Sequence, residues 1–108
     1  MRTLEFSLNG QRLRKAPGFS FEHIIKGSKN YLKAHFSFNT DDWSGVTKVA
    51  VFKSKSDPVE YIPIGADGYC NIPNSVTDDL KFTIQVIGVD GDKRIPTNDI
   101  TITQEMTK

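Results

Sequence analysis

Asp41, Asp42 and Trp43 stand together in the stretch NTDDWSG, and no other residues of this chain are as well suited to holding a ligand. A tryptophan face stacks on a sugar ring, and neighbouring carboxylates accept hydrogen bonds from hydroxyls. The same three residues suit a structural role, in which the aspartates set a turn and Trp43 plugs the end of a β-domain. The plug fits better, because Trp43 falls between two strand-like runs and not within one. Other chemistry-bearing residues are dispersed. A glycosidase needs two positioned carboxylates, and a covalent hydrolase needs a nucleophile beside its base. Asp78 and Asp79 are adjacent, so they point apart in extended chain. Asp90-Gly91-Asp92 lacks the D-x-D-x-D-G spacing of a calcium loop and reads as a hairpin turn.

His23 and His35 fall on separate runs, and His35 shares a polar face with Lys33 and Ser37. Cys70 is the only cysteine. It can form neither an internal disulfide nor a Cys-based metal site, and between Tyr69 and Ile72 it reads as a small core residue. Gly65, Gly68 and Gly88 serve turns or strand ends and build no phosphate loop. The expectation is a protein that is not an enzyme, with no catalytic, metal or cofactor-binding residues and no cofactor.

The elements that must position these residues are almost all strands. Residues 31–38 alternate, with Leu32, Ala34, Phe36 and Phe38 on one face and Lys33, His35 and Ser37 on the other. Residues 3–8 and 11–14 flank Asn9-Gly10, the signal for a type I′ hairpin. Residues 19–25 read as a strand after Ala16-Pro17-Gly18, and 26–30 (KGSKN) as a polar turn. The turn 39–45 leads to a strand at 46–53, and 54–57 turn the chain again. Pro58 opens a strand at 59–64, where Pro63 marks a sheet edge because it cannot donate to a ladder. Asp67-Gly68 signals a hairpin into the short strand 69–72. Residues 73–79 suit one helical turn, capped by Asn74 or Ser75. Residues 80–89 form a strand with Leu80, Phe82, Ile84 and Val86 inward, Asp90-Gly91 turns it, and 100–103 alternate again. Only 105–108 read as frayed.

Seven to eight short strands at near-regular spacing, with no helix of useful length, predict an all-β antiparallel sandwich, with a small barrel as the runner-up. The 108 residues make one domain, 1–108, with seven Phe, three Tyr and one Trp as core material. No apolar run approaches the roughly 20 residues of a membrane helix. The opening MRTLEFSLNGQRL alternates and is charged, so it lacks the apolar region of a secretory signal, and synthesis in a bacterial cytoplasm is expected.

Net charge is +1, which argues against a nucleic-acid binder. It is unevenly placed: residues 1–35 carry seven Lys or Arg against two acids, and 36–108 carry seven against eleven. Such a dipole steers a charged partner or favours head-to-tail contact between copies. Arg12, Arg14 and Lys15 form a basic cluster with no aromatic interleaved in the sequence. With Trp43 they are the candidate interaction surface.

The order of signals resembles the small immunoglobulin-like β-domain of virion proteins from phages of Gram-positive bacteria. That domain carries a W-x-G…K-x-A-x-F strand, matched by Trp43, Gly45, Lys48, Ala50 and Phe52. A C-x-(I/V)-P step follows, matched by Cys70, Ile72 and Pro73. A strand ending G-x-x-G-x-x-R-x-(P/T)-T-N comes last, matched by Gly88, Gly91, Arg94, Pro96, Thr97 and Asn98. The likeness spans residues 28–103 and lies in fold-defining residues, so it implies a domain type and not a chemical site.

The resemblance implies an immunoglobulin-like sandwich in a phage structural protein of the virion, docking on capsid, tail or baseplate as a decoration, head-fibre base or adaptor, in one or several copies. Such domains usually open longer fibre or baseplate proteins. This sequence ends after the domain, so receptor binding by a distal module is not carried over. Two alternatives remain: a phage-encoded inhibitor of a host or defence protein, and a carbohydrate-binding module using Trp43. Neither nucleic acid nor membrane is an expected partner.

Overall fold

The computed structural model describes residues 1–55 and 58–106. Ser56 and Asp57 of the turn expected at 54–57 lie outside the described residues, as do Thr107 and Lys108. The strands are β1 (Arg2–Asn9), β2 (Arg12–Lys15), β3 (Leu32–Phe38), β4 (Thr47–Ser54), β5 (Glu60–Pro63), β6 (Tyr69–Asn71), β7 (Lys81–Asp90), β8 (Lys93–Pro96) and β9 (Ile100–Thr103). A 3₁₀ turn at Asp41–Trp43 and one helical turn, α1 (Asn74–Thr77), complete the elements. One sheet runs β2-β1-β3-β6, and the other runs β5-β4-β7-β8 with β9 also paired to β7. The two are hydrogen-bonded separately, so the chain is an all-β sandwich and not a closed barrel.

Alternation builds both inner faces. Leu4, Phe6 and Leu8 of β1, with Leu32, Ala34 and Phe36 of β3, meet Ala50 and Phe52 of β4, Phe82, Ile84 and Val86 of β7, and Ile102 of β9 in one buried core. Phe6 and Phe36 stack across neighbouring strands at 5.2 Å, and Phe52 lies 6.4 Å from Phe82. Each aromatic pair adds about 0.5–1.5 kcal/mol beyond its burial. Cys70 faces this core, and burial pushes its thiol up to about 12.

Several expectations are corrected. The sandwich is not wholly antiparallel, because β1 and β3 run parallel from Arg2↔Leu32 to Leu8↔Phe38. β2 ends opposite Phe6, and residues 16–31 carry the chain on to the end where β1 begins, so β3 starts beside Arg2. The strand expected at 19–25 is absent. That segment joins only an isolated Ile25↔Glu105 bridge, and His23 has φ +57. Two of its carbonyls go instead to the Arg2 guanidinium, which binds the oxygens of Glu22 at 2.6 Å and His23 at 2.9 Å, while the Ile24 carbonyl accepts from Glu105 N–H at 2.7 Å. A side-chain clamp replaces a ladder there.

Among the described residues there are nine strands, because the last stretch divides into β8 and β9 along one edge of β7. Leu80 lies outside β7 and is 48% exposed. Neither Asn74 nor Ser75 caps α1; the N-cap is Pro73, without a side-chain bond. Asp67-Gly68 does not close a hairpin, since β5 and β6 belong to different sheets and the turn crosses between them. The first hairpin is shifted by one residue: Asn9 pairs with Arg12, leaving Gly10-Gln11 as the loop, with Gly10 at φ +59. Asp90 pairs with Lys93 around Gly91-Asp92 in the same way, and Gly91 also has φ +59. Positive φ at the first central residue alone is the type II′ pattern.

Candidate functional site

Trp43 is 1% exposed, which removes it from the candidate interaction surface. The 3₁₀ turn sends its ring into the end of the sandwich, where Nε1 donates to the Gly10 carbonyl at 2.8 Å. The ring meets Phe38 at 5.2 Å and rests against Gly88, where an added Cβ would sit 2.8 Å from Cζ3. An open cleft of about 370 Å³ lies beside it, lined in part by Asp41, Lys48 and Asp67. Of its three aromatic walls, Phe36 and Trp43 are buried, and Phe38 already carries the Lys48 ammonium 5.1 Å above the ring. No flat face stands free there for a sugar. The fold therefore uses Trp43 as a plug.

The basic cluster is split by the register of β2. Arg14 pairs with Ser7 and Arg12 with Asn9, so both guanidiniums belong to the outer face of the four-stranded sheet. Lys15 pairs with Phe6 and has the opposite parity; its ammonium lies 5.2 Å over the Phe21 ring. Arg12 and Arg14 stand two residues apart on one strand, about 6.7 Å along its axis. Both are exposed, and among the described residues neither has a hydrogen-bond or ion-pair partner.

The register brings further groups to the same face. Glu5, His35 and Tyr69 form one row across β1, β3 and β6, with Thr3, Lys33 and Asn71 in the next. His35 Nδ1 lies 2.6 Å from Glu5 Oε1, and its ring meets Tyr69 at 4.3 Å. Lys33 Nζ covers the other part of the Tyr69 ring at 5.2 Å. Three cations, Arg12, Arg14 and Lys33, thus face outward against one carboxylate, Glu5, which His35 occupies. The alternation of β1 and β3 announces each outer residue. That β2, β1, β3 and β6 lie side by side is a non-local fact, so Tyr69 could not be joined to the arginines from sequence.

The edges at β2, β5 and β6 are each blunted against a further strand. At β2, the Asn98 side chain copies a neighbouring strand: Oδ1 accepts from Leu13 N–H at 2.8 Å, and Nδ2 donates to Leu13 C=O at 2.9 Å. Asn98 is held there by a bulge. Ile87 pairs with Pro96 but Ile84 pairs with Ile100, so four steps on β8–β9 match three on β7. Buried Thr97 fills the bulge, its hydroxyl accepting from Val86 N–H at 3.0 Å. At one edge of the five-stranded sheet, Pro63 offers β5 no donor. Tyr69 of β6 spends its carbonyl on Gly65 N–H and its N–H on Asp67 Oδ1. The proline, threonine and asparagine of the "PTN" sequence are therefore a seam, not a site.

The aspartates at 78–79 and 90–92 remain in or beside turns, and His23 pairs with Glu105 at 3.1 Å on the surface. Among the described residues no group of three His, Cys, Asp or Glu is placed to hold a metal ion, and no helix is long and apolar enough to cross a membrane. A scan of known protein families finds none whose model matches this chain, and a search of curated proteins finds no match either.

Proposed function

We propose that this chain is a non-enzymatic structural module of a phage particle, which docks through the outer face of its four-stranded sheet onto an acidic capsid, tail or baseplate surface. Support for the phage setting comes from the motif order of residues 28–103. The docking face rests on one observation: Arg12 and Arg14 stand exposed and unpaired on a sheet whose edges are blocked. A guanidinium presents a planar fork of donors matched to carboxylates, so two of them in line favour an acidic protein partner. Binding by added strands loses ground, since Asn98 and Pro63 occupy or blunt the edges. A carbohydrate module loses its platform with the burial of Trp43.

The test is co-sedimentation of the protein with purified virions, for the wild type and for the double variant Arg12→Glu/Arg14→Glu. The wild type should travel with particles at low salt and be released as ionic strength rises; the variant should stay in the supernatant. Protein found only in lysate and never on particles would sink the particle reading. Early expression together with capture of a host enzyme would move the same face to the inhibitor alternative.

A further inference from the structure

The outer face of the five-stranded sheet gathers lysines at one end. Lys53, Thr83 and Thr101 form a row across β4, β7 and β9. Lys81 lies two residues before Thr83 on β7, so it is the diagonal neighbour of Lys53, about 7–8 Å away along the backbone. With Lys55, which comes directly after β4, these residues line an open cleft of about 310 Å³. Lys53, Lys55 and Lys81 are exposed, and among the described residues none has a hydrogen-bond or ion-pair partner. No carboxylate lines the cleft among the described residues; Asp78 and Asp79 belong to the neighbouring one, which Lys55 and Lys81 also border. Three like charges around one depression repel each other and focus a positive field into it.

We propose that this cleft binds a phosphate group, held between the Lys53 and Lys81 ammoniums and accepting hydrogen bonds from the Thr83 and Thr101 hydroxyls. Charge makes the ligand an anion, and donor geometry makes it a phosphate. An ammonium is a compact point charge with three rotatable donors, which suits a tetrahedral group approached from several sides. The planar forks that match a carboxylate, Arg12 and Arg14, stand on the other sheet. Among the described residues neither threonine hydroxyl is bonded to the protein, so both are free to donate. The one aromatic ring in the lining, Phe82, is 1% exposed. A nucleotide base therefore finds no stacking face in the cleft, and the phosphate itself is what the site reads. Because the lysines stand in water, salt screens the site and its affinity is weak, roughly millimolar.

This site is independent of the acidic docking proposed above, and amide NMR titrations of the purified protein at constant ionic strength separate the two. The probes are inorganic phosphate, glycerol phosphate and malonate, at a slightly alkaline pH where all three are dianions. The amides of Lys53, Thr83 and Thr101 should shift and saturate with phosphate, and respond at least severalfold more weakly to malonate. The tighter of the two phosphates tells a free ion from an esterified group. Lys53→Gln/Lys81→Gln should raise the phosphate dissociation constant at least tenfold with its thermal melt retained. Thr83→Val keeps the charge and the shape of the side chain and should raise it severalfold. Arg12→Glu/Arg14→Glu should bind phosphate as the wild type does. Equal response to malonate, shifts that never saturate, or binding that the lysine variant leaves intact overturns the proposal. So does a single-stranded oligonucleotide or an acidic peptide that shifts these amides where phosphate does not.

Discussion

The two outer faces of this sandwich are built from the same kinds of strand, yet one is polar throughout while the other is apolar at its centre and cationic only at its rim, through Lys53, Lys81 and Arg94. On the four-stranded sheet every outward position of β1 and β3 is polar: Thr3, Glu5 and Ser7, then Lys33, His35 and Ser37. On the five-stranded sheet the outward positions at the centre of β4 and β7 are Val49, Val51, Gln85 and Ile87, with Val51 covered to 2% exposure. Folding requires only the inner faces to be apolar, so an outer face is free to vary and its composition reports what it meets. A cationic face suits a partner of opposite charge.

The largest expected effect comes from breaking the seam that supports only one of them. Asn98→Ala removes both hydrogen bonds to the Leu13 backbone and leaves those groups on a half-closed edge, which costs about 2–3 kcal/mol. Because β2 carries Arg12 and Arg14, loosening it should also weaken docking to an acidic partner, while β4 and β7 at the centre of the other sheet keep their protection. Chemical denaturation measures the first effect, and amide exchange at Leu13 shows whether β2 frays ahead of the rest. Equal loss of protection in both sheets would mean that the seam holds the whole sandwich.

This seam also shows how much was legible. The alternation at 31–38, the edge proline and the buried Cys70 were readable because each depends on period, donor count or composition within a few residues. Two turns were readable as turns but not in register, since the sequence around Asn9-Gly10 does not say which pair closes the loop. The strand expected at 19–25 failed because alternation cannot reveal a competing partner, and Arg2 takes its carbonyls. The Asn98–Leu13 pairing joins residues 85 apart, beyond any local signal. Residues 46–53 were readable as a strand, but only the register to β5, β7 and β8 shows which of its side chains share a row.

Alkaline pH should separate the sheets next. Among the described residues Cys70 is the one titratable side chain in the buried core, and it belongs to β6 of the four-stranded sheet. Its thiol rises from 9.0 to about 12 through burial. Between those values the folded state keeps a proton that the unfolded state has lost. Stability is therefore fully present below pH 9.0 and falls as pH rises toward about 12, by up to about 1.4 kcal/mol per pH unit. Urea midpoints across that range should fall more steeply for the wild type than for Cys70→Ala. Parallel curves would show that the thiol is already exposed.

Charge reversal on the cationic face comes third. Arg12→Glu/Arg14→Glu touches no hydrogen bond or ion pair of the fold, so stability should shift by less than about 0.5 kcal/mol per site. Its effect should be confined to binding, with at least about a tenfold loss of affinity for an acidic partner, equivalent to ~1.4 kcal/mol. The comparison breaks if the same variant also lowers the thermal melt by several degrees, since the two arginines would then belong to the scaffold.

The smallest effect is also the one whose two signs oppose each other. Glu5 is the single carboxylate on the cationic face, and it is taken up by His35 Nδ1 at 2.6 Å. Glu5→Gln keeps the length of the side chain and a hydrogen-bonding oxygen but removes the charge. The fold should lose at most about 1 kcal/mol, the range for a half-exposed pair of this kind. The face should gain, because three cations would then look outward with no anion among them, and affinity for an acidic partner should rise a few-fold at low salt and converge with the wild type as salt screens the field. A purely structural role for the Glu5–His35 pair would give the opposite result, with binding falling alongside stability as the row β1-β3-β6 loosens. Calorimetric melts and a salt series of binding curves on one variant therefore decide whether Glu5 belongs to the scaffold or sets the charge of the surface.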